Sequence, residues 1–145
     1  MTLSRTARRY VLLSLVTGLT ALLVACSPRG TPQAVNDVTL LRFGYLNGSP
    51  AALVRGRVSF ANGCSSLEAA PGVLMTGLWS SGTRLDMSTG ALRIIVDGVP
   101  FAEGDELSMG GGEYSDEDFV ISLVGTIPES CRGEHYWLLS GLVTT

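Results

Sequence analysis

The chain contains no lysine; all ten of its basic residues are arginine. That absence removes Schiff-base chemistry and the phosphate-gripping lysine of a P-loop. Histidine is scarce too, with His135 alone, and only 16% of residues are charged. Three arginines (Arg5, Arg8, Arg9) precede residue 25, whereas all 13 acids follow it, so residues 26–145 carry a net charge of −6. A nucleic-acid binder needs a basic face, and this balance excludes one. No CxxC pair, internal repeat, coiled-coil heptad or long amphipathic helix occurs. At 145 residues the chain has room for one domain.

What is present begins with a leader. Residues 4–10 are basic and acid-free, and Val11 to Ala25 forms an apolar run diluted only by Ser14, Thr17, Gly18 and Thr20. Fifteen helical residues reach roughly 22 Å, short of the ~30 Å hydrocarbon core of a bilayer. The pattern is that of a signal peptide rather than a permanent span. It closes in Leu23-Val24-Ala25-Cys26. These four residues resemble the lipobox of bacterial lipoproteins. The resemblance implies that residues 1–25 are removed and that Cys26 carries a diacylglyceryl group as the new first residue. Its partner would be a lipid bilayer, on the extracytoplasmic side. Ser27, rather than Asp, would permit export to an outer membrane if the source has one. Arg8-Arg9 leaves the choice between general secretion and the twin-arginine route open.

Two further cysteines, Cys64 and Cys131, lie 67 positions apart. In the oxidising compartment implied by the leader, such a pair reads first as a disulfide. Closing a loop of that length is worth roughly 4 kcal/mol on the chain-entropy model. Two other readings stay open at this level. Cys131 and His135, four apart, suit a metal site or a nucleophile and its base if they share a helix face. Gly133 between them and the strand-like Tyr136-Trp137-Leu138-Leu139 argue against that helix.

Residues 26–37, with Pro28, Gly30 and Pro32, read as an acylated cysteine followed by a flexible tether, leaving 38–145 as the domain. Short β-branched and aliphatic runs then alternate with turn signals, predicting strands over 38–45, 53–60, 73–79, 92–96, 106–109, 119–124 and 136–143. In the second run Val54, Gly56, Val58 and Phe60 fall on one side, with Arg55, Arg57 and Ser59 on the other. Asn62-Gly63 and Asp97-Gly98 mark turns. Gly110-Gly111-Gly112 reads as a sharp turn or bulge. Ser115 with Asp118 forms a capping box, yet Phe119-Val120-Ile121 favours strand, so the expectation is one helical turn or loop and then strand.

The expected fold is all-β: a small Greek-key or OB-like barrel, with a β-sandwich as the alternative. The order Gly56-x-Val58, Gly63-Cys64, Trp79-x-x-Gly82-Thr83, Val96-x-Gly98, Gly104-Asp105, Gly110-Gly111-Gly112 and Cys131 before Trp137-Leu138 resembles a group of small uncharacterised bacterial lipoproteins. Gly104-Asp105-x-Leu107 is similar to the start of a strand in OB-like barrels. Neither resemblance implies an activity, a catalytic residue or a cofactor.

Four residues are candidates for binding. Arg55 and Arg57 share a strand face and can grip an anionic ligand, or simply be solvated and paired with acids. Trp79 and Trp137 are core plugs, or a stacking surface if both are exposed. Glu113, Asp116 and Asp118 are weak metal-ligand candidates, since they lack EF-hand spacing. Glu103, Asp105 and Glu106 form a second carboxylate group; glycosidase chemistry needs such a pair ~5–9 Å apart across a cleft, a distance the sequence does not give, and the chain is small for a sugar cleft. The expected function is a non-enzymatic binding or structural module of the cell envelope, with an unidentified envelope protein or small ligand as partner. The alternatives are a small hydrolase or redox protein using Cys131 and His135, and a cation-dependent binder using residues 113–118.

Overall fold

The structure, a computed structural model, describes residues 30–44, 46 and 51–143. The leader, Cys26 and the first part of the expected tether lie outside the described residues. Among the described residues, ten strands and one α-helix follow one another: β1 (Gln33–Val35), β2 (Val38–Arg42), β3 (Ala52–Ser59), β4 (Ser66–Ala70), β5 (Val73–Trp79), β6 (Arg84–Asp86), β7 (Arg93–Val96), β8 (Val99–Ala102), β9 (Glu106–Tyr114), α1 (Glu117–Val124) and β10 (Tyr136–Leu142). Short 3₁₀ turns at Ala61–Gly63 and Glu129–Cys131 carry the chain to and through its two later cysteines.

Five strands close a barrel in the order β3-β4-β5-β10-β9 and back to β3. Four of the contacts are antiparallel. The fifth, β5 with β10, is parallel, with Tyr136 opposite Thr76 and Leu139 opposite Trp79. That parallel contact makes the barrel a Greek key rather than a meander, and its closure sets aside the sandwich alternative. The edge of β5 is shared. Its first half pairs with β4, and its last two residues pair with β2 at Leu41–Leu78 and Arg42–Trp79. Strands β6, β7 and β8 form a separate antiparallel sheet in the long connection from β5 to β9.

Apolar residues divide into two cores because strand side chains alternate. Val54, Val58, Leu67, Trp79, Leu107, Met109 and Leu139 pack together with Leu85, Ile94 and Val96 of the small sheet. Leu41, Leu78, Tyr136 and Leu138 pack with Val120 and Val124 of α1 and with Cys64 and Cys131. Neighbours Leu138 and Leu139 on β10 thus serve different cores.

The structure departs from the sequence reading at the tether, the triple glycine and residues 117–124, and it adds the unpredicted strands β4, β6 and β8. Residues 33–37, assigned to the tether, form β1 and its turn into β2, where Asn36 and Asp37 take positive φ. Gln33 ties β1 to β6, accepting from the Leu85 N–H at 2.9 Å through its Oε1. The triple glycine is no turn: β9 runs through it, paired on both sides with β3 and β10. At Gly111 a Cβ would strike the Leu138 carbonyl, so only glycine lets these backbones approach. The irregularity lies instead in β10, where the register shifts between Leu139 and Gly141. Finally, 117–124 is α-helix rather than strand. Asp116, not Ser115, caps it by accepting from the Phe119 N–H at 3.2 Å, and Val120 and Val124, four apart, are both fully buried against the barrel.

Candidate functional site

On β3 the side chains of Val54 and Val58 turn into the core, which sends Arg55 and Arg57 to the solvent side. Gly56 between them lies close to β4, since a Cβ there would come within 2.9 Å of the Glu68 carbonyl. Each arginine stands in the ladder opposite partners of opposite sign or polar character. Arg55 faces Ser108, while Arg57 faces Glu68 on one side and Glu106 on the other. Arg55 Nε lies 3.3 Å from Glu106 Oε1 and donates to Ser108 Oγ at 3.3 Å. Among the described residues, Arg57 makes no ion pair.

Two clefts flank the Arg55–Glu106 pair. One, of about 640 Å³, is lined by both arginines, Glu68, Glu106 and the β4–β5 turn at Ala70-Pro71. The other, of about 360 Å³, is more apolar and is lined by Val99, Phe101, Leu107, Leu142 and Val143, with Arg55 and Glu106 at its rim. The ion pair is exposed on both sides, so it is worth at most about 1 kcal/mol and yields readily to a ligand. A carboxylate or phosphate can take the place of Glu106 on Arg55 or bind Arg57 directly. The arrangement offers anion recognition, and the one hydroxyl lining the second cleft, Ser108 Oγ, accepts from Arg55 Nε.

The tryptophans do not join this face. Trp79 has no exposed surface, and its indole folds over Gly77 inside the barrel. Trp137 is half-buried and packs against the same core. Both act as plugs, and the stacking surface is not formed.

Cys64 and Cys131 are joined as a disulfide with their Cα atoms 5.1 Å apart. Both are buried, at 2% and 1% exposure. Cys131 therefore has no thiolate to offer, and His135 serves a different partner: its Nδ1 lies 2.6 Å from Glu113 Oε1. The Cys131/His135 nucleophile pair is thus not formed. The acidic stretch is likewise divided among other tasks, with Glu113 on His135, Asp116 on the helix cap and Glu117 on Arg132 at 3.7 Å. Among the described residues, no group of three or more His, Cys, Asp or Glu side chains is placed to hold a metal ion. Glu103 is also committed, accepting from the Phe60 N–H at 2.6 Å and from Ser59 Oγ at 3.2 Å.

Away from the clefts, Asp86 on β6 has its carboxyl held below its ordinary value. The main cause is the hydrogen bond from Ser88 Oγ at 2.7 Å, with further help from the Arg84 charge. Sequence reasoning missed Glu68 and Glu106 as partners of the arginine face. Ser65-Ser66-Leu67-Glu68-Ala69-Ala70 has little strand character, so the strand that carries Glu68 left no alternating signal. No protein-family model, curated protein or solved structure matches the chain.

Proposed function

We propose that the chain is a lipid-anchored, extracytoplasmic module of a bacterial envelope that works by binding rather than by covalent chemistry. The observation that carries this reading is the joined pair Cys64–Cys131. A buried disulfide across a 67-residue separation suits a domain that folds outside the reducing cytoplasm. It also accounts for both cysteines of the domain, leaving Cys26 for the lipobox at the end of the leader. Two acyl chains on Cys26 suffice for stable anchoring, at about 0.8 kcal/mol per buried CH₂. The ligand surface in this reading is the Arg55/Arg57 face, and an anionic group on an envelope polymer or protein is its natural target.

Expression in a bacterial host with a labelled fatty acid tests the anchor. The natural chain is expected to take up label and to sediment with membranes, whereas Cys26→Ala loses the label and appears in the soluble fraction. Label retained by the variant would sink the reading. So would two titratable thiols in denatured, unreduced, mature protein.

A further inference from the structure

We infer that the domain sits on the bilayer with the C-terminal end of α1 and the end of β2 turned toward the lipid headgroups, an inference that rests on the acylated-Cys26 reading above. Gly30 is fastened at this spot. Its N–H donates to the Leu123 carbonyl at 3.0 Å, and its Cα packs so tightly on the end of β2 that a Cβ would strike the Arg42 carbonyl. The next residue is held as well, because the Thr31 carbonyl accepts from Arg42 Nε at 2.8 Å. Cys26 is only four residues before Gly30. Four residues span at most about 14 Å when fully extended. An acyl chain on Cys26 therefore leaves the surroundings of Gly30 no farther than that from the membrane, whatever the rest of the domain does.

Charge is sorted in the same direction. Residues 27–36, 38–54 and 119–128 contain no Asp or Glu, and their charged residues are Arg29 and Arg42. Residues 26–145 carry a net charge of −6, yet the described residues that lie against Gly30 and Thr31, namely Arg42, Phe43, Leu123 and Gly125, include no acid. Along α1 the separation is direct. Asp116, Glu117 and Asp118 stand at its first turn, and Leu123 to Thr126 at its end are uncharged. Eight helical residues put these groups about 12 Å apart, more than a Debye length at physiological salt. Lipid phosphates repel acids and attract arginine over that range. The opposite pose would press the acidic turn against the phosphates and pull Gly30 away from them.

The acylated full chain in phosphatidylethanolamine–phosphatidylglycerol vesicles with brominated acyl chains tests this orientation. Thr126 and Asp118 are both exposed, so a tryptophan at either is tolerated. Thr126→Trp is expected to lose at least about half of its added emission to the bromine, as a residue at the headgroup boundary would. Asp118→Trp is expected to stay at the level set by Trp79 and Trp137. Equal quenching of the two variants, or none in either, while the protein floats with the vesicles would overturn the orientation and leave the anchor standing. Protein that does not float would overturn the anchor reading and the orientation with it.

Discussion

Gly111 shows how a single missing side chain sets a backbone approach. A Cβ at this position would meet the Leu138 carbonyl and lie 3.0 Å from the Trp137 indole nitrogen. At Gly110 the nearest atom would be Ser140 Oγ at 3.2 Å, the end of a side chain that can rotate away. Gly111→Ala is therefore expected to lower stability by about 1–3 kcal/mol, and Gly110→Ala by clearly less. Urea midpoints of the two variants check the difference, and coincident midpoints would show that the strands part freely. Asp86 offers a pH test. Its folded-state pKa is depressed, so its contribution to stability is complete above the ordinary carboxylate range and fades as pH falls through the folded value. Ser88→Ala removes the main cause and is expected to move the Asp86 titration upward in an NMR pH series. At this scale the alternation along β3 was legible, and it placed Arg55 and Arg57 outward from residue order alone. Their carboxylate partners were not, because a cross-strand neighbour is set by register and not by proximity in the chain.

Helix α1 is the element on which local preference and tertiary demand disagree. Phe119-Val120-Ile121 carries β-favouring side chains, yet the segment is helical from Glu117 to Val124. Two things outweigh propensity. The spacing of Val120 and Val124 places both on one helical face, where they are fully buried against Leu78, Tyr136 and Leu138. The N-terminus is also capped by Asp116 and followed by Glu117 and Asp118, whose charges suit the helix dipole. Gly125, at φ 87°, then ends the helix in a conformation that favours glycine. Asp116→Ala is expected to cost about 1 kcal/mol, read as a lower thermal midpoint with an unchanged β-sheet signature. A midpoint equal to that of the natural chain would assign the helix to burial alone. Strand β5 makes the contrast, since its sequence bounds and its structural bounds coincide at Val73 and Trp79. There the apolar run and strand preference agree with burial from Met75 to Trp79, so one signal sufficed.

Across the whole molecule, the disulfide fastens the start of β4 to the segment between α1 and β10, and so holds the second core around Leu41, Val120 and Tyr136. Replacing both cysteines by alanine is expected to lower stability by roughly 4 kcal/mol on the chain-entropy model. Denaturant unfolding of the double variant and of the reduced natural chain should give matching losses; a loss near zero would mean that packing alone closes the barrel. The shortage of basic charge, the cysteine count and the strand-rich class all follow from residue identity and order, because each rests on chemistry that neighbours in the chain supply. Strand order, the parallel contact of β5 with β10, the passage of β9 through three glycines and the burial of Trp79 were decided only in the folded barrel. Each depends on which backbones meet across long separations, and closing a sheet on itself selects those meetings by packing and hydrogen bonding that no local stretch contains.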